Sequence, residues 1–235
     1  MTAGGLILIG GLLTAVLGSQ ASAPARGSSN VLTPEEKAAG WRLLFDGKTT
    51  NGWRGYRQEG MTDGWQAVDG ALTRVGKGGD IVTADQFQDF ELVLEWKVAP
   101  GGNSGVFFRA TEDTASIWQN STEYQILDNG GHADGKNPLT STASNYALYA
   151  PSKDVSKPAG EWNVSRIVAR GPRVEHWLNG EKVVEYRIES EEWTALVAKS
   201  KFGKYPTYGR APQGHIGLQD HGDYVAFRNI KIRPL

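Results

Sequence analysis

Apolar and polar residues alternate with a period of two along most of the chain after residue 40. The clearest case is residues 90–98, where one face carries only large apolar side chains: Leu92, Leu94, Trp96 and Val98. The opposite face carries mostly charged side chains. Because successive side chains of a strand point to opposite faces, this pattern predicts a half-buried strand.

Turn dipeptides such as Asp69-Gly70 and Asn179-Gly180 separate further strands. We predict these strands at residues 41–45, 65–68, 71–75, 104–110, 122–127, 164–169, 173–178 and 181–188. Two short helices interrupt them: one begins after the N-cap Thr33, with Glu36 completing a capping box, and one spans residues 190–199. Many strands without a repeat period predict an all-β fold, a single β-sandwich with one or two short helices.

The stretch from Gly214 to Ile230 has an unusual polar face. Ile216 and Leu218 point to one side, and the other side carries three side chains with functional chemistry: His215, Gln219 and His221. Imidazole ionises near neutral pH and binds metals. We interpret this face as the wall of a site. The alternative is a surface strand that holds two of the four histidines of the chain.

Composition narrows the classes of function. The 235 residues carry a net charge of −1, which gives no basic surface for nucleic acid, and they include no cysteine for disulfides or thiolate metal sites. Eight Trp and eight Tyr provide rings on which sugars can stack, or that fill a core. Residues 128–160 are rich in Gly, Asn, Ser and Pro and predict a long loop, of the kind that often carries function.

The N-terminus is predicted to be a separate segment. An apolar run at residues 6–17 precedes Ala21-Ser22-Ala23, a small-x-small cleavage pattern. We predict a signal peptide at 1–23, a flexible lead at 24–32 and one domain at 33–235, with a periplasmic or secreted mature protein. The apolar run is too short for a stable membrane span.

Six groups of residues follow one another along the chain: 44–48 with 52–53, 102–109, 123–128, 160–163, 176–180, and 218–222 with 227–230. They include Leu44-Phe45-Asp46-Gly47-Lys48 and Glu123-Tyr124-Gln125-Ile126-Leu127-Asp128. Together they resemble the bacterial 3-keto-disaccharide hydrolase family over residues 33–235. The resemblance implies a concanavalin-like jelly roll with a cleft on one sheet. It also implies a sugar substrate with a ketone at carbon 3 of a hexosyl ring.

Such a substrate calls for particular groups. The ketone acidifies the carbon-2 proton, so cleavage needs a base at that proton, a donor or cation for the enolate oxygen, and an acid for the leaving group. Glu123 and Gln125 share one face of a predicted strand, which favours Glu123 as base or metal ligand. Arg109 has the same parity as Asn103 and suits the oxyanion. The structural alternatives are an exposed strand glutamate and an arginine paired with a structural carboxylate.

His221 is the candidate acid, oriented by Asp220 beside it. The predicted substrate-binding residues are Asn103, Gln125, His176, Gln219 and Tyr149. A divalent metal is a candidate cofactor, with ligands drawn from His215, His221 and Glu123. The alternative for His176 is a core histidine with a backbone partner. The side chains of Lys199, Lys201, Lys204 and Tyr208 are interpreted as surface or as the rim of the cleft.

Two other functions stay open. A non-catalytic sugar-binding module would use aromatic stacking by residues such as Trp118 or Tyr149, since jelly rolls host lectins and enzymes alike. A glycosidase acting on unoxidised sugar needs two facing carboxylates about 5–9.5 Å apart. Glu123 has no evident partner at such a spacing, because Asp128 has the opposite parity.

Overall fold

The computed structural model describes Met1 and residues 29–235 of the chain. The predicted signal peptide (1–23) and most of the predicted lead (24–32) lie outside these residues. At the start of the described part, Asn30 is buried and fixed to the end of the domain. Its amide N–H donates to Asn229 Oδ1 over 2.5 Å, and the N–H of Asn229 donates back to Asn30 Oδ1 over 2.8 Å.

The larger of two antiparallel sheets has eight strands. Its members are β1 (Arg42–Leu43), β3 (Trp65–Val68), β4 (Ala71–Arg74), β6 (Phe90–Val98), β9 (Asn163–Arg170), β10 (Arg173–Leu178), β11 (Glu181–Arg187) and β13 (Val225–Pro234). Their order is β11–β10–β9–β6–β13–β4–β3, and β1 also pairs with β13. The C-terminal strand β13 therefore lies inside this sheet, between β6 and β4.

The smaller sheet has five strands in the order β2–β5–β12–β7–β8. They are β2 (Trp53–Gly55), β5 (Ile81–Thr83), β7 (Asn103–Ala110), β8 (Thr122–Leu127) and β12 (His215–Leu218). The two sheets bury a shared core that includes Leu92, Trp96, Tyr124 and Phe227. This architecture confirms the predicted all-β sandwich. Strands β2 and β5, three residues each, were not predicted because so short a run shows no period.

The two predicted helices are present. Helix α1 (Pro34–Ala38) begins at Thr33 with the predicted capping box, and α2 (Glu191–Lys199) begins at Ser190, whose hydroxyl accepts from Trp193 N–H. The long loop at 128–160 contains one short 3-10 helix, Ala133–Lys136, and a second 3-10 helix, Ile117–Gln119, precedes β8. Among the described residues, no helix combines the length and the apolarity that crossing a membrane would require.

The stretch from residue 214 to 230 is not one strand, as the alternation suggested. Strand β12 ends at Leu218 in the smaller sheet, and β13 begins at Val225 in the larger one. The connecting loop is held by Asp220, which pairs with the Arg74 guanidinium and accepts from the N–H groups of Gly78 and Gly79, each over 2.9 Å. Gln219 and His221 therefore lie just beyond the strand end.

Strand β7 contains a bulge that changes the parity of its end. His215 lies opposite Ala110 and Gly217 opposite Phe107, so that two steps along β12 match three steps along β7. Arg109, within the extra step, has a left-handed φ of 51°. A bulge of this kind redirects the side chains beyond it. Arg109 and Asn103 therefore do not share a face of β7, although their positions in the sequence have the same parity.

Candidate functional site

A small pocket of about 200 Å³ opens on the outer face of the smaller sheet. Its lining contains five of the predicted site residues: Asn103, Glu123, Gln125, Gln219 and His221. Four others complete it: Trp118, Asp134, Tyr146 and Lys201. Strands β7 and β8 and the loop after β12 place the first group, and the segments outside the sheet place the second.

Glu123 lies on β8 with its side chain folded over the neighbouring strand. A Cβ atom at Gly105 would lie only 2.4 Å from Glu123 Oε1, so the Glu123 side chain can take this position only because residue 105 is glycine. Burial raises the pKa of the Glu123 carboxyl to about 8, and the negative charges of Asp80 and Asp134 add to that rise. Lys201 and the Gln219 side chain act in the opposite direction. The pocket thus contains a carboxyl with an unusually high proton affinity.

Amide side chains surround this carboxyl. Asn103 Oδ1 and Gln219 Oε1 are buried acceptors without a protein donor among the described residues. Gln125 accepts from Ile126 N–H over 3.0 Å through Oε1, which leaves its NH₂ group as the donor. Leaving a buried polar atom unpaired costs about 1–3 kcal/mol. The pocket therefore offers acceptors and donors of the kind that bind sugar hydroxyls.

His221 stands at the mouth of the pocket, with 48% of its side chain exposed. The prediction that Asp220 orients it is wrong, since both carboxylate oxygens of Asp220 accept from Arg74 and from loop N–H groups. The carboxylate that faces His221 is instead Asp223, whose Oδ2 lies 3.8 Å from His221 Nδ1. The His132 ring stands edge-on to His221, with 6.0 Å between the ring centroids.

Sequence reasoning missed Asp134 and Tyr146 as pocket residues. Both belong to the long loop at 128–160, in which Tyr149 was the residue predicted to bind substrate. The Tyr146 hydroxyl donates to Asp134 Oδ2 over 3.2 Å, and the Tyr146 N–H donates to the Glu123 carbonyl over 3.1 Å. Burial, with Asp134 and Glu123 nearby, raises the pKa of Tyr146 to about 12. These bonds attach the loop to β8 beside the candidate base.

Arg109 lies outside the pocket, and its predicted position beside the substrate is wrong. Its guanidinium donates to the carbonyls of Gln88 and Gly171, over 2.7 and 2.8 Å, and to Asp89 over 3.0 Å. The bulge in β7 is the cause, because it turns this side chain away from the outer face. Arg109 is the partner of a structural carboxylate, which was the alternative interpretation.

His176 and Tyr149 also lie outside the pocket, contrary to their predicted role in binding. His176 is fully buried in the core, where Nδ1 donates to the Ala143 carbonyl over 2.9 Å. Burial lowers its pKa to about 4, so the ring is neutral. Tyr149 stacks on Tyr186 with 5.1 Å between ring centroids. Mixed parity around His176 had left the core interpretation open, and the structure supports it.

His215 is not among the residues that line the pocket. Its Nδ1 donates to the Thr83 carbonyl over 2.7 Å, and its Nε2 lies 3.1 Å from Gln86 Nε2. A metal shared by His215, His221 and Glu123 is therefore not supported. Within residues 29–235, no three His, Asp or Glu side chains are grouped so that they could hold a metal ion.

A larger groove of about 410 Å³ lies on the outer face of the other sheet. Small side chains at Ala71, Thr73 and Ala226 form its floor, and Trp162 and Tyr224 are among its walls. The carboxyl in its lining, Asp69, is exposed, so the buried Glu123 makes the smaller pocket the better candidate for acid–base chemistry.

Comparisons with known proteins agree with the fold and with the predicted family. The chain is 39% identical to a 3-keto-disaccharide hydrolase from Bacteroides thetaiotaomicron, across 84% of this chain and 79% of that protein. A crystal structure from Parabacteroides distasonis ATCC 8503, assigned as a glycosyl hydrolase, is 37% identical with a TM-score of 0.83 and covers 88% of this chain and 100% of its own. A second such structure from that organism is 33% identical, with a TM-score of 0.63 over 83% of this chain and 99% of its own. Residues 40–233 match the family model of the 3-keto-alpha-glucoside-1,2-lyase-like domain, and the chain belongs to that family.

Proposed function

We propose that this chain is an exported enzyme that cleaves glycosides whose sugar ring carries a ketone at carbon 3. The observation that carries the proposal is the buried Glu123 carboxyl, whose pKa of about 8 suits the removal of a weakly acidic carbon-bound proton. An ordinary carboxylate is a weaker base. Family membership and the unpaired acceptors of Asn103 and Gln219 point to the same class of substrate.

The proposed reaction is elimination followed by hydration. Glu123 removes the carbon-2 proton, and the C–H electron pair forms a double bond to carbon 3 while the ketone oxygen takes the carbonyl pair. That pair then re-forms the ketone, a double bond forms between carbons 1 and 2, and the bond from carbon 1 to the aglycone oxygen breaks. The departing aglycone oxygen takes a proton from His221. Water then adds its hydroxyl at carbon 1 and gives its proton back to His221, and Glu123 returns a proton to carbon 2. The net change is hydrolysis.

The other pocket residues have supporting roles in this proposal. His221, at the mouth beside Asp223, is placed to give a proton to the departing aglycone oxygen. Asn103, Gln125 and Gln219 would fix the ring through its hydroxyls, so that carbon 2 faces Glu123. Export rests on the apolar run and the small-x-small pattern before residue 24, and a periplasmic or secreted location follows from it.

The test is an assay of the mature protein on 3-keto-trehalose and 3-keto-sucrose in D₂O. We expect release of the free sugar, with enzyme-dependent deuterium at carbon 2 of the 3-keto product. Glu123→Gln should lower the rate about 10²–10⁴-fold because it removes the base. Glu181→Gln, an exposed carboxyl on β11, is the matched control and should keep the rate. Full activity in the Glu123→Gln protein would contradict the assignment.

A second candidate function is hydrolysis of unoxidised glycosides, because Asp134 shares the pocket with Glu123. Two carboxyls in one pocket are what a glycosidase requires, with the one of raised pKa acting as the acid. The same assay separates the two functions. Equal rates on trehalose and 3-keto-trehalose, without deuterium at carbon 2, would favour the second. Binding without turnover of either sugar would identify a non-catalytic module.

A further inference from the structure

Removal of the carbon-2 proton leaves negative charge on the carbon-3 oxygen, and the proposed reaction needs a group that stabilises it. Arg109, which was predicted to stabilise this oxygen, lies outside the pocket and donates to Asp89. Among the described residues that line the pocket, Lys201 is the one Lys or Arg.

The Lys201 ammonium sits among aromatic rings at the pocket. Its Nζ lies 4.3 Å from the ring centroid of Tyr146, 5.2 Å from that of Phe202 and 5.3 Å from that of Trp118. Cation–π attraction holds a cation in such a position without neutralising it. Tyr146 and Trp118 line the pocket themselves, so the ammonium faces the same space as Glu123.

The backbone around Lys201 is fixed by its neighbours. Phe202 is buried and stacks on Tyr208 with 4.1 Å between ring centroids. The Phe202 N–H donates to Ser200 Oγ over 3.1 Å, and the Ser200 hydroxyl donates to the Val197 carbonyl at the end of α2 over 2.8 Å. Since Ser200 and Phe202 are both fixed, the side chain of Lys201 between them is directed toward the pocket.

Lys201 also lacks the partner that a structural lysine usually has. None of the ion pairs within residues 29–235 includes it. Its charge acts on Glu123 through space and lowers the pKa of that carboxyl against the effect of burial. Because Lys201 forms no ion pair among these residues, its ammonium is available to bind negative charge that develops on a substrate beside Glu123.

We propose that Lys201 is a further catalytic residue, whose ammonium binds the carbon-3 oxygen and stabilises the enolate; this inference rests on the proposed function. The ammonium donates a hydrogen bond to the ketone oxygen of the substrate. As the carbonyl pair moves onto that oxygen, the bond becomes charge-assisted and stronger. When the aglycone leaves and the ketone re-forms, Lys201 keeps all its protons.

The experiment compares Lys201→Met and Lys201→Arg with Lys204→Met on a 3-keto disaccharide. Lys204 is the matched control, because its Nζ also lies over an aromatic ring, 5.2 Å from the centroid of Tyr205, but outside the pocket lining. We expect Lys201→Met to lower kcat about 10²–10³-fold with little change in KM, since the charge develops only in the transition state. Lys201→Arg should recover part of the loss, and Lys204→Met should match the wild type.

Two further measurements keep the outcomes distinct. A wild-type protein that leaves 3-keto disaccharides intact refutes the proposed function, whatever Lys201 does. NMR titration of the Glu123 carboxyl then still tests the electrostatic contact, because Lys201→Met should raise that pKa further. If cleavage occurs and Lys201→Met has the wild-type kcat, or changes KM alone, the catalytic role of Lys201 is overturned.

Discussion

Two glutamates, Glu112 in the loop after β7 and Glu123 on β8, show how neighbours set the proton affinity of a carboxyl. Glu112 receives two hydrogen bonds from Arg54, over 2.6 and 2.7 Å, and these lower its pKa to about 2. Glu123 is buried without a contacting guanidinium, and its pKa rises to about 8. The residue type is the same, so the difference comes from the environment alone. Of these two carboxyls, only Glu123 is suited to accept a proton near neutral pH.

The pH dependence of kcat/KM follows from this. A base must be ionised to act, so in His221→Gln, which lacks the proposed acid, kcat/KM for a 3-keto disaccharide should rise with pH and level off above about 8. The measurement is initial rates on both sides of that pH, corrected for the rate without enzyme. Glu181→Gln should keep the profile. In His221→Gln, a rate that falls above about pH 8 would show Glu123 acting as a proton donor, as in a glycosidase.

Among the elements of the fold, strand β7 determines which side chains reach the pocket. Before the bulge, Asn103 reaches the pocket and Gly105 leaves room for the Glu123 side chain. At the bulge, the Arg109 side chain turns away and forms a structural ion pair with Asp89. One inserted residue thus separates the part of the strand that serves the pocket from the part that supports the fold.

Gly105→Ala tests the first of these effects. The new methyl group would overlap the Glu123 carboxylate, and the flexible side chain would move rather than the strand. We expect kcat to fall about 10²-fold, because small misplacements of a catalytic group have effects of that size. The thermal midpoint should change little. Gly60→Ala is the control, since nothing lies within 4 Å of a Cβ there. Wild-type activity in Gly105→Ala would show that the position of Glu123 is not critical.

Alternation predicted the elements wherever the strands are regular, and it failed where register changes. It placed Glu123 and Gln125 correctly on the face that forms the pocket, because β8 pairs with β7 without a shift. It misplaced Arg109, since a bulge cannot be read from parity. Lys201 lies in a loop and reaches the pocket through tertiary contacts that no local pattern encodes.

The buried His176 makes the stability of the whole molecule sensitive to acid. Its pKa is about 4 in the folded protein and ordinarily 6.5, so below pH 6.5 the unfolded chain binds a proton that the folded protein excludes. Stability should therefore fall as pH decreases from 6.5 to about 4, by at most about 3 kcal/mol from this group. Urea unfolding at several pH values measures it.

The controls isolate this histidine from the acidic groups that also titrate there. His176→Gln removes the ionisation and should flatten the dependence over that range. His221→Gln, which changes an exposed histidine, should leave it as in the wild type. An unchanged dependence in His176→Gln would assign the effect to other groups.

The position of β13 has a consequence for how the protein is made. This strand lies far from β6, β4 and β1 in the sequence, yet it pairs with all three inside the larger sheet. Until its ten residues have been synthesised, β6 and β4 each lack a neighbour and the apolar face of the sheet is incomplete. The larger sheet therefore cannot complete its core before β13 has been made, so we expect this sheet to close late in folding.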